Sequence, residues 1–162
     1  MVKDKQDNHK VIYKDYLKNK IFTQTFKITF LNSTSLPLLI MIEKDYIKKK
    51  IDLFVKELVS LLSKEPPKEE KLKELALLAQ KYTEKNLSYF LHSDTDTILL
   101  AYKTDTETLD IIAEILFQLP DLNKDILYKI RDIIHYINRN STDFSFQRNQ
   151  NLTKIEALLR AD

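Results

Sequence analysis

The chain of 162 residues contains no glycine, and that absence restricts its fold more than any residue it does contain. Glycine is the residue that turns the backbone left-handed without steric penalty, or lets it approach a ligand closely. Phosphate-binding loops, dinucleotide-binding turns and EF-hand calcium loops rely on it. Tight two-residue hairpins rely on it as well. A β-rich topology is therefore disfavoured, together with most nucleotide-dependent enzymes. Helices joined by Asn, Asp, Ser and Pro turns do without it. Cysteine is absent too, which excludes disulfides, thiolate metal sites and cysteine nucleophiles and fits a reducing, cytoplasmic location.

Charge is high but balanced, with 26 Lys and Arg against 24 Asp and Glu and a net of +2. A protein whose obligatory partner is a polyanion usually carries a clear basic excess, and this one does not. The balance is uneven along the chain. Residues 1–40 hold seven lysines and three aspartates, whereas residues 41–162 carry 19 basic and 21 acidic groups. The most apolar stretch, Leu36 to Ile42, is seven residues long, against the ~20 a spanning helix needs, so no membrane association is expected. Asp4, Asp7 and Asp15 precede it and no small-residue cleavage site follows, which argues against a signal peptide.

The chain divides into a basic N-terminal extension, 1–40, and a helical domain, 41–162. In the extension, Phe26-Lys27-Ile28-Thr29-Phe30 alternates like a strand, Asn32 to Ser35 signals a turn, and Leu36 to Ile42 is a second short apolar run. The extension thus reads as a short β-hairpin or as disordered, since two strands alone are marginal in water. Native translation is expected to start at Met41.

Beyond Met41 the hydrophobic period is helical. Ile47, Ile51, Phe54, Val55, Leu58, Leu61 and Leu62 recur in steps of three and four, with Asp45 expected at the N-cap or first turn. Pro66 and Pro67 stop this helix, and Pro67 opens a second one carrying Glu69 and Glu70 at its positive end. Leu87, Phe90 and Leu91 predict a short helix. Ile98 to Tyr102 predict another, after a cap within Ser93-Asp94-Thr95-Asp96. Thr104 and Glu107 have capping-box spacing and start a helix that Pro120 ends. Asp121 or Asn123 caps the strongest helix, built on Ile126, Leu127, Ile130, Ile133, Ile134 and Ile137. A final helix starts near Ser145. Helices with such short connections pack antiparallel, so the expected fold is all-α, a repeat-like stack of antiparallel helical hairpins.

Glu43-Lys44-Asp45-Tyr46-Ile47 at the start, and Asp143-Phe144-Ser145-Phe146-Gln147-Arg148 followed by Ile155-Glu156-Ala157-Leu158 at the end, resemble a bacterial family of small all-helical proteins catalogued as a domain of unknown function. The resemblance covers about residues 41–162. It implies a fold related to tetratricopeptide hairpin repeats, and it implies no activity. Two departures stand out. Lys48-Lys49-Lys50 replaces the Met and Arg usual there, and residues 124–138 contain no Ala or Gly, although tetratricopeptides place small residues at helix crossings.

No catalytic constellation is legible, and the chain is expected to be neither an enzyme nor a cofactor or metal protein. Asp94 and Asp96 superficially match a phospho-aspartate phosphatase pair. That chemistry needs a parallel-sheet strand end holding magnesium, and a helix N-cap accounts for the same residues. His9, His92 and His135 lack metal-ligand spacing, and His135 reads as a partly buried imidazole. Aromatic residues crowd the second half. Rings at the edge of an apolar stripe suit the rim of a protein-binding groove, which makes Tyr82, Tyr102, Tyr128 and Tyr136 the candidate partner contacts. The expected function is a helical interaction module taking a protein or peptide between hairpins. Self-association is the same expectation with a second copy as partner. The alternative is a nucleic-acid-associated accessory protein, with Lys48, Lys49 and Lys50 and the basic N-terminus as phosphate contacts.

Overall fold

The computed structural model of the chain describes residues 36–161 apart from 142 and 144, with side chains from Asp45 onward, Phe146 excepted. Among these residues all regular structure is helical. In chain order α1 is Leu36–Leu62, α2 Lys68–Thr83, α3 Leu87–His92, α4 Thr95–Ala101, α5 Thr106–Phe117, α6 Lys124–Asn140 and α7 Phe146–Arg160. The chain divides into two units, Met1–Tyr46 and Ile47–Asp162. Described residues of the first unit are helical, with Asp45 and Tyr46 exposed.

The expected second strand of an N-terminal hairpin is corrected here: Leu36 to Ile42 is helical. A lone apolar run drawn out as a strand would leave its backbone donors and acceptors without a ladder, whereas a helix satisfies them internally. Asp45 accordingly lies inside α1 and caps nothing. Phe26 to Phe30 and His9 fall outside the described residues.

In the second unit side-chain caps satisfy the open amides at helix N-termini. Asn86 accepts the Tyr89 N–H at 2.8 Å, Asp94 the Thr97 N–H at 2.6 Å and Asn123 the Ile126 N–H at 2.9 Å. Ser145 caps α7 through the Arg148 N–H at 3.2 Å. The capping box expected from Thr104 and Glu107 does not form, because the N-cap lies one residue later. Asp105 is the N-cap of α5, accepting the Thr108 N–H on one oxygen and the Thr108 hydroxyl on the other, two separate acceptor atoms where a threonine hydroxyl has one. Lack of glycine has a cost at helix C-termini. Glu65 and Glu84 hold φ of 45° and 64°, a left-handed geometry that disfavours a non-glycine residue by about 1 kcal/mol.

The core of this unit is built on α5 and α6. α5 packs on α2 and α6, and α6 in turn on α4 and α7. Leu109, Leu116, Ile130 and Ile133 are fully enclosed. From α1, Phe54 meets Tyr82 edge-on, with ring centroids 5.3 Å apart. Glu57 pairs with Lys81 at 2.5 Å, and Lys50 donates to the Thr108 hydroxyl at 2.8 Å. Val55 and Val59 of α1 remain exposed. Among the described residues no helix is long and apolar enough to cross a membrane.

Candidate protein-binding cleft

The outer face of α6 and the last turns of α7 border an open cleft of about 400 Å3. From α6 it takes Tyr128, Arg131, Asp132 and His135, which follow one another at helical steps of three, one and three residues and so share one face. From α7 it takes Glu156, Leu159 and Arg160, again at steps of three and one. Inward-facing isoleucines at 130, 133, 134 and 137 are buried and fix how far this polar face turns toward α7.

The chemistry of the cleft lies in its aromatic and guanidinium groups. Arg131 lies over the Tyr128 ring, 4.8 Å from its centroid, a cation–π pair contributing about 0.5–1 kcal/mol at an exposed site. Its Nε and Nη2 both donate to one oxygen of Asp132, at 3.0 and 2.9 Å, so the plane of the guanidinium is held from two sides. Arg160 is far more exposed, at 81%, and lies 3.8 Å from Glu156, an exposed pair of little energetic weight. Tyr128 is 43% exposed and Leu159 half-buried, and these two supply the apolar part of a mainly polar lining. Among the described residues no group of His, Cys, Asp and Glu gathers closely enough to hold a metal ion.

The four tyrosines singled out by sequence go to different places. Tyr128 lines the cleft. Tyr136 is half-buried about two turns further along α6, and its hydroxyl donates to the Lys103 carbonyl at 3.0 Å. Tyr102 donates to the Thr83 carbonyl at 2.7 Å; burial, with Tyr89, Glu84 and Asp105 nearby, pushes its phenol up to about 12. Tyr82 is enclosed, 4% exposed, and burial together with the adjacent Glu57 carboxylate raises its phenol far above the ordinary range. Three of the four thus tie helices or loops of the fold together in this conformation. Of the lysine cluster, Lys48 and Lys49 are exposed while Lys50 turns inward to Thr108.

Arg131, Asp132, Glu156, Leu159 and Arg160 were not singled out by sequence, and His135 was read only as a partly buried ring. Their signal was present as two polar stripes at helical spacing. That the two stripes face each other depends on the packing of α7 on α6. Asp94 caps α4, with the Thr97 N–H and hydroxyl on its two oxygens. Comparison with family models, with curated proteins and with solved structures finds no match.

Proposed function

We propose that this protein is a non-enzymatic, cytoplasmic interaction module that receives a protein or peptide partner in the cleft between α6 and α7. The stacked Tyr128–Arg131 pair carries this reading. Tyr and Arg are the residues over-represented among those that dominate binding energy, because they offer a large contact area, directional donors and little rotamer entropy once held. Here one pair combines both types, and Asp132 has already restricted the guanidinium. The resemblance to tetratricopeptide-like helical proteins is in keeping with the same role.

The test immobilises the full-length chain and its Tyr128→Ala and Arg131→Ala variants and presents each with nuclease-treated native lysate. A protein retained by the unaltered chain and weakened roughly tenfold or more by both variants supports the cleft. Equal retention by all three chains overturns it. The nucleic-acid reading keeps one observation in its favour, the exposure of Lys48 and Lys49. It requires retention that disappears with nuclease and an affinity that falls steeply with salt.

A further inference from the structure

The helices of the Ile47–Asp162 unit are not held by the same forces. α5 buries seven residues, six of them apolar, and α6 buries five, all apolar. Of the described side chains of α7, the buried ones are Arg148, Asn151 and Ile155, and two of these are polar. Leu158 is 46% exposed. Leu152 and Leu159 also pack, partly buried, against the core, so among the described side chains α7 encloses a single apolar residue and its fully buried contacts are mainly polar. Arg148 donates through Nε to Asn138 of α6 at 2.8 Å, through Nη1 to the Asp110 carboxylate of α5, and through Nη2 to the Asp143 carbonyl at 2.6 Å. Asn151 donates to Glu114 of α5 at 2.7 Å, and Glu114 also accepts from Gln118 at 2.9 Å. One guanidinium, 5% exposed, thus joins two helices and the turn that leads into the third.

The two kinds of attachment respond differently to opening. An apolar side chain that leaves the core gains nothing from water in return. A released donor or acceptor exchanges its protein partner for a water molecule, so the net difference per bond is small. Elements with few buried apolar contacts open below the threshold of global unfolding. We propose that α7 is a polar latch, undocking as a unit while α2, α5 and α6 stay folded, with the Arg148 guanidinium setting how often it opens. Because Glu156, Leu159 and Arg160 form one wall of the cleft, the cleft exists only while the latch is closed. This consequence rests on the protein-binding reading, and the latch itself does not.

Native-state hydrogen exchange on the full-length chain is the test. The α7 amides are expected to exchange together, with protection at least about tenfold below that of α5 and α6. In Arg148→Met, α7 protection falls further, on the order of a hundredfold, while α5 and α6 keep theirs. Arg148→Lys, which reaches fewer partners at once, falls between. Equal protection of α7 and α5 in the unaltered chain overturns the latch, and that comparison decides even if Arg148→Met does not fold. A uniform loss across all helices in Arg148→Met overturns it as well. Tyr128→Ala is expected to leave α7 protection unchanged, so failure of the cleft reading and failure of the latch register separately.

Discussion

At the scale of single residues, electrostatics acts mainly through helix ends. Asp94 has its carboxyl held below its ordinary value of 3.8, first by the Thr97 N–H and then by the Thr97 hydroxyl, both of which bond the ionised form. A carboxyl that is more acidic in the folded state than in the unfolded chain stabilises fully above its unfolded value, and that stabilisation fades as pH falls through its folded one. Acidification from neutrality to below 3.8 is therefore expected to weaken the start of α4. Asp94→Asn keeps a good cap without a titrating group, so its melting temperature should lose less on acidification than that of the unaltered chain. Thermal melts of both proteins across this range check the difference. Parallel pH curves would remove the cap as its source.

Elements are locked to one another by long side chains that reach backbone carbonyls. Lys129 of α6 sends its three donors to the carbonyls of Phe90, Leu91 and Ser93 at 2.7, 3.0 and 2.7 Å, which are acceptors left open at the end of α3. An ammonium there also meets the negative end of the helix dipole. Burial pulls the Lys129 amine below its ordinary range, while Asp94 and Asp125 oppose the shift. A six-residue helix has little intrinsic stability, so this cap matters more to α3 than it would to a long helix. Lys129→Met keeps the stem and removes the donors. We expect a loss of about 1 kcal/mol in denaturant stability and faster amide exchange concentrated at residues 90–93. A loss spread evenly over the unit would assign Lys129 a packing role instead.

For the unit as a whole, stability follows enclosure. Ile130 is fully enclosed, whereas Leu77 of α2 is 63% exposed. Ile130→Ala is expected to destabilise by about 2–5 kcal/mol, because the lost transfer energy is joined by a cavity in a close-packed interior. Leu77→Ala should stay within about 0.5 kcal/mol. Urea denaturation of both variants separates the two. Both residues are large aliphatics on helices, so the contrast comes from position alone.

Much of this arrangement was legible before any packing was known. Absence of glycine, the three-and-four spacing of Ile126 through Ile137, Pro66 and Pro67, and the Asn and Asp caps act within a turn or two of chain, and local sterics and hydrogen bonding suffice to interpret them. Misreadings arose where local signals compete. Thr104 and Asp105 both suit a cap, and the carboxylate took the amide; Leu36 to Ile42 suited either a strand or the opening of α1. Tertiary structure alone decided what the tyrosines and the arginines do. Spacing puts Tyr128 and Tyr136 near the edges of an apolar stripe and Tyr82 within one, but whether any of these rings is covered depends on a neighbour distant in sequence. For Tyr82 that neighbour is Phe54, for Tyr136 the Lys103 carbonyl, and Tyr128 is left to the cleft. Arg148 and Asp110 lie 38 positions apart, and nothing local to either residue announces the other. The period of a helix is written into the chain by short-range sterics, whereas the partner of a buried charge is chosen by the folded whole.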